Sequence, residues 1–213
     1  MTVHIACGAV EALLAQAPEA WLSASETARL ATLTSAKRRD QFTAARWQAR
    51  WLLARALGGD PVAWTLEAPH DAPPAVAGRP DLFLSISHSG GFTACALGTE
   101  PLGLDLEAPQ RRRDIAGLID LCCTPGERAI LARSADQEAA FYELWTVKEA
   151  WLKRRGEWIA PRRLQQLDAR PAVDGDVQTW DGMGWRLALW AGDQAHWWTP
   201  RPPTSRSWRV IEL

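Results

Sequence analysis

The sequence predicts an α+β fold of two similar lobes in one chain, each with helices packed on a small antiparallel sheet. Three observations carry this. Helix signals give way to strand signals twice along the 213 residues. Each half holds a capping-box pattern, Ser23-x-x-Glu26 and Thr124-x-x-Glu127, in which a hydroxyl and an acid three residues on satisfy each other's backbone donors. A break runs from Gly98 to Pro101, so the lobes are placed at 1–101 and 102–213.

Residues 2–7 alternate enough for a short strand. Ser23 starts a short helix to about Leu33. A longer helix follows Ser35 and ends at Gly58-Gly59, with Phe42, Ala45, Ala49, Leu52, Leu53 and Ala56 as its apolar face. Arg39, Arg46 and Arg50 form a stripe on another face. The proline-rich residues 67–80 form a loop. Strands at 82–87, 93–97 and 102–106 then make an antiparallel meander.

In the second half, Pro125 occupies the first position of a helix ending near Arg133. Asp136 caps a longer helix bearing Phe141, Leu144, Lys148, Glu149 and Leu152. After Pro161 the chain becomes strand-rich, at 177–180, 185–190, 195–199 and 208–213.

The bulk properties exclude some functions. A net charge of -1 argues against general nucleic-acid binding. No apolar run is long enough to cross a membrane, and Met1 to Cys7 lack a signal peptide's basic start and apolar stretch. The four cysteines have no metal-site spacing, which predicts reduced, mostly buried thiols in a cytoplasmic protein. Lysine occurs only at Lys37, Lys148 and Lys153 among many arginines. A compact titratable amine is not interchangeable with a guanidinium, so these positions draw interest.

Two stretches carry the chemistry. In Gly103-Leu104-Asp105-Leu106-Glu107 a strand would put Asp105 and Glu107 on one face. In Trp145-Thr146-Val147-Lys148-Glu149-Ala150-Trp151-Leu152-Lys153 a helix would put Glu149 and Lys153 one turn apart on one face. Asp-x-Glu alone is common on solvated edge strands. Joined to Glu149 and Lys153 it suits Mg²⁺, which is usually held by one or two carboxylates plus substrate phosphate. Ser87-His88-Ser89-Gly90 follows a strand and offers donors to a phosphate beside a glycine turn.

These motifs, with Arg39-x-x-Phe42, Arg46-x-x-x-Arg50 and Gly78-Arg79-Pro80, keep their order and spacing over residues 35 to 156. The chain thereby resembles the 4'-phosphopantetheinyl transferases of the broad-specificity, surfactin-synthetase-activating type. The resemblance implies two α+β lobes with coenzyme A in the cleft between them. It implies Mg²⁺-dependent transfer of the phosphopantetheine arm to a serine of an acyl or peptidyl carrier protein, with release of 3',5'-ADP. Asp105, Glu107 and Glu149 would then hold Mg²⁺ on the pyrophosphate. Lys37, Arg50 and His88 would meet the 3'-phosphate, with Arg46 of the same stripe. Arg79 and Pro80 would lie at the adenine end, and Ser87 near the phosphates. Lys153 would face the pyrophosphate and the departing group. Lys148 is assigned to the coenzyme too, although its spacing from Leu144 and Leu152 sets it near the packed side of its helix. Asp105, Glu149 and Lys153 are the catalytic set, with Glu149 the candidate base for the serine proton.

Four residues at three places depart from the family pattern. Ser85 stands where asparagine is common, Cys122-Cys123 replaces an aromatic pair, and Trp158 replaces a small residue after the glycine turn. The last bears on the pantetheine channel or carrier docking. It leaves as the alternative a homologue that binds coenzyme A or a carrier but transfers weakly. A monomer is expected, because two lobes already complete one cleft.

Overall fold

The computed structural model describes residues 2–69, 72–108, 113–191 and 194–213. It is an α+β protein. Strand β1 (Thr2–Ala9) leads through α1 (Val10–Leu14) to α2 (Ala24–Ala31) and α3 (Ala36–Leu57). Then come β2 (Leu66–Glu67), β3 (Ala75–Val76), β4 (Phe83–Ser89), β5 (Phe92–Gly98) and β6 (Gly103–Glu107). The second half has α4 (Ile115–Cys122), α5 (Pro125–Leu131), α6 (Gln137–Arg154) and α7 (Pro161–Gln165). It ends in β7 (Leu167–Pro171), β8 (Val177–Gly182), β9 (Trp185–Trp190), β10 (Gln194–Trp197) and β11 (Thr204–Glu212).

The strands form two main sheets, ordered β10-β1-β5-β4 and β6-β9-β8-β11-β7, with a small β2-β3 pair in the stretch expected to be all loop. The expected meander is corrected in one respect. β4 and β5 pair as a hairpin, but β6 leaves β5 and pairs with β9 in the second sheet. β10, from the second half, runs parallel to β1 in the first sheet. Neither choice is encoded locally. A strand's alternation shows that it has a buried face, not which sheet completes its ladder.

The layers follow from alternation along the strands. Ala6, Leu84, Cys95 and Leu97 face Ala49, Leu52 and Leu53 of α3. The opposite face of that sheet, Val3, Ile5, Ala94 and Ala96, packs on Leu104, Leu106, Leu187 and Leu189 of the second sheet, around a fully buried Trp180. The far side of the second sheet, with Ala169, Val177, Ala188 and Val210, is covered by Phe141, Leu144, Val147 and Leu152 of α6. Cys122 and Cys123 lie inside this last cluster, so the replaced aromatic pair is still core. Among the described residues no helix is long and apolar enough to cross a membrane.

Both capping boxes form, and each acid has a second role. Glu26 accepts from the Ser23 backbone and also pairs, fully buried, with Arg50 of α3, whose Nη1 lies 2.9 Å from Oε1. Glu127 accepts from the Thr124 backbone, from Ala169 N at 2.8 Å and from Lys148 Nζ of α6 at 2.6 Å. Lys148 completes its shell with the carbonyls of Cys122 and Leu164. In each half, then, a short helix is fastened to a long one by a buried, hydrogen-bonded ion pair. Breaking such a pair costs more than its net worth, because the partner is left charged and dry.

Lys148→Met should therefore lower unfolding free energy by about 3–5 kcal/mol. Urea denaturation followed by circular dichroism measures this, and a loss under about 1 kcal/mol would show that Glu127 finds another way to be neutralised.

Candidate active site

The site lies where the edge of one sheet meets the edge of the other. Ser85, Ser87 and Ser89 alternate along β4 and so share one face. Each engages β6. The Ser85 hydroxyl accepts from Leu104 N at 2.9 Å, Ser87 donates to Asp105 Oδ1 at 2.8 Å, and Ser89 donates to Glu107 Oε2 at 2.8 Å. Ser85, the departure from the family pattern, thus closes the join by satisfying an edge-strand N–H.

Helix α6 supplies the other half. A Cβ built on Gly103 would lie 1.9 Å from the Ala150 carbonyl oxygen and 2.5 Å from Arg154 N, so only glycine allows helix and strand to come this close. This contact delivers Glu149 and Lys153 onto the Asp105 face. Lys153 Nζ lies 2.6 Å from Asp105 Oδ1 and 3.2 Å from Ser87 Oγ. Asp105, Glu149 and Ser87 are all buried.

Crowding sets the electrostatics. Burial, then the neighbouring Asp105, raises Glu107; the Ser89 hydrogen bond opposes this. Glu149 is pushed well above the usual carboxylate range, first by burial and then by Asp105, whose carboxyl group is close enough to share a proton with it. Burial alone would lower Lys153, but Asp105 and Glu149 outweigh it and its ammonium is favoured. Asp105 Oδ2 is buried with no hydrogen-bond partner among the described residues. Anionic oxygens packed without enough donors suit a hard cation. Among the described residues, no three His, Cys, Asp or Glu side chains converge into a ready-made metal cage.

Beside the seam, the first turn of α3 exposes Lys37 and Arg38. Gln41 Nε2 donates to Gly90 O at 2.9 Å, tying that helix end to the β4–β5 turn next to His88. His88 is exposed at the end of β4; the atoms packed beside it, then Lys153 and Arg38, disfavour its protonation. Arg38 and Gln41 were not picked out by motif reasoning. Their roles come from the α3–β4 contact, although the basic run at 37–39 was visible.

Other sequence-picked residues sit elsewhere. Arg50 is turned inward to Glu26 and lies over the Trp21 ring. Arg46 lies over Phe42 and within 4.0 Å of Glu26. Lys148 is buried against Glu127, on the side of α6 away from Asp105. These three do not join the seam. Arg79 pairs with Asp81 through two bonds of 2.8 and 2.7 Å, with Pro80 exposed between them. A cleft of about 260 Å³ opens at the Lys153 end, between Pro73-Pro74 and Trp158-Ile159. Trp158 is 72% exposed in its wall. Glu157, its neighbour, is held by Arg155 at 2.5 Å and Arg163 at 2.6 Å.

A family model of the 4'-phosphopantetheinyl transferase superfamily matches residues 101–197, the part bearing Asp105, Glu107, Glu149 and Lys153. A 4'-phosphopantetheinyl transferase of Bacillus subtilis is 32% identical over 133 residues, covering 60% of this chain and 57% of that protein. The 4'-phosphopantetheinyl transferase HetI of Nostoc sp. (strain PCC 7120) is 30% identical over 166 residues, covering 75% and 70%. AcpT of Salmonella typhimurium is 37% identical over 116 residues, covering 53% and 59%. The chain thus spans between just over half and about two thirds of the length of these relatives.

The raised Glu149 makes a pH prediction for the metal-free chain. An acid whose folded pKa lies above its unfolded value of about 4.5 costs nothing below that pH, and destabilises increasingly as pH rises toward the folded value. In EDTA, the thermal midpoint of the unsubstituted protein should fall relative to Glu149→Gln between pH 4.5 and neutrality. A constant difference across that range would remove the crowding argument.

Proposed function

Because the chain belongs to the 4'-phosphopantetheinyl transferase family, we propose that it moves the phosphopantetheine arm of coenzyme A onto a serine of an acyl or peptidyl carrier protein. The reading rests chiefly on one observation: three carboxylates and Lys153 are crowded at one seam with Asp105 Oδ2 unsatisfied. Asp105 would hold Mg²⁺ together with Glu107 or Glu149 beside it, and the ion would neutralise charge on the pyrophosphate when bound.

The protein's own residues do the rest. Lys153, kept protonated by its acidic neighbours, turns its ammonium to the phosphate oxygens and balances the charge that grows on the leaving group. Ser87, which holds both Lys153 and Asp105, fixes that lysine's direction. The serine oxygen forms a bond to the phosphorus carrying the pantetheine arm. The bond from that phosphorus to the bridging oxygen breaks, and 3',5'-ADP departs with the electron pair. The serine proton passes to the Glu149 carboxylate, or to a water that Glu149 orients. Lys37, Arg38 and His88 meet the 3'-phosphate at the exposed end of α3, and Arg79 and Pro80 border the adenine. Arg50 and Lys148 act on this scheme only by fixing α3 and α6. In this reading residues 1–101 contact the nucleotide, and 102–213 carry the metal acids and the carrier side.

Intact mass spectrometry of a panel of apo-carrier domains with coenzyme A and Mg²⁺ should show addition of one phosphopantetheine. Asp105→Ala should abolish it while circular dichroism is unchanged; persistent turnover would sink the metal assignment. Lys37→Ala should weaken coenzyme A binding several-fold while leaving dephospho-coenzyme A unaffected, as one screened charge–phosphate contact requires. Equal losses for both ligands would place the 3'-phosphate elsewhere.

A further inference from the structure

Tyr142 is 2% exposed, and its hydroxyl is buried without a hydrogen-bond partner among the described residues. A dry hydroxyl of this kind calls for an explanation, commonly an ordered water or a bound ion nearby. Its position supplies one. Tyr142, Glu149 and Lys153 are spaced by near-whole numbers of turns along α6 and share a face. Gly103, at the start of β6, touches the last turns of α6, so the helix runs back along the strand toward Glu107. Lys153 meets Asp105; Tyr142, earlier on the same face, stands at the Glu107 end.

Two further contacts fix that end. Arg186 on β9 is the register partner of Glu107, donates to the Ala139 carbonyl one turn before Tyr142, and lines the same cavity as Tyr142. The Arg113 guanidinium lies 5.9 Å over the Tyr142 ring. The phenol is raised first by burial, and Glu107 adds to this against Arg113, as expected for neighbours. Ser89 already donates to Oε2 of Glu107.

We propose that Tyr142 is a positioning residue for the metal-binding acids: its hydroxyl donates, through one bridging water, to the carboxylate of Glu107. Glu107 is then held from two sides, by Ser89 and by Tyr142, and is presented to the divalent ion at a fixed angle. Outer donors of this kind commonly tune metal affinity by one to two orders of magnitude. The inference rests on the metal reading above.

Tyr142→Phe keeps the ring beneath Arg113 and removes only the hydroxyl. Mn²⁺ binding is followed by electron paramagnetic resonance with coenzyme A present and no carrier, in the unsubstituted protein and the variant. Thermal midpoints and metal-free coenzyme A affinity are measured alongside. The variant should bind Mn²⁺ roughly tenfold or more weakly, with unchanged coenzyme A affinity and an unchanged thermal midpoint. Equal Mn²⁺ affinity in the two proteins overturns the positioning role and leaves the metal site standing. Failure of the unsubstituted protein to bind Mn²⁺ overturns the metal reading, and this inference with it.

Discussion

The close approach of α6 to β6 at Gly103 is the contact on which the site depends. A helix normally stands off a strand by the length of the side chains between them. Here the strand has a hydrogen where any other residue would place a methyl group inside the helix backbone. The gain is geometric. Glu149 and Lys153, which ordinary packing would keep apart from β6, reach the Asp105 carboxylate directly. The cost is electrostatic, because acids brought together in a buried seam repel one another and lose water. Lys153 and the serines of β4 offset part of that cost. Asp105 Oδ2 remains without a hydrogen-bond partner among the described residues.

Such a seam needs a rigid frame, and the two halves solve this alike. A capping-box glutamate, already committed to its own helix, doubles as the buried counter-ion of a cation on the long helix: Glu26 with Arg50, and Glu127 with Lys148. The hydroxyl of each box reaches onward to the segment after the long helix, Ser23 to Leu66 O at 2.7 Å and Thr124 to Asp168 at 2.6 Å. These pairs fix the rotation of α3 and α6, and hence which residues face the seam. A guanidinium serves Glu26 by a two-pronged contact. An ammonium serves Glu127, where two carbonyls also need donors.

Much of this was legible in the sequence. The capping boxes, the Asp136 cap and the glycine stop at Gly58 are local events and appear where their residue types demand. The same-face placement of Asp105 with Glu107, and of Glu149 with Lys153, follows from strand and helix periods alone. Arg50 was less legible. Its spacing from Arg46 suggested an exposed basic stripe, but Glu26, remote in sequence, draws it inward. Lys148 was half-legible, since its neighbours Leu144 and Leu152 marked the packed side.

By itself the sequence determined not the short elements α1, α4, α7, β2, β3 and β7 but the long helices with their caps, most of the longer strands, the faces of the acidic residues and the family. Those depend on neighbours within a turn or two, or on ordered motifs, and both are written along the chain. The tertiary structure alone decided that β6 leaves its hairpin neighbours for the second sheet, that β10 returns to the first, and that Ser85, Ser87 and Ser89 join the two edges. It also separated the exposed cations at Lys37 and Arg38 from those spent in the core. The reason is that sheet pairing and charge burial are settled by partners far away in sequence, and no local pattern records which distant edge or acid will be there.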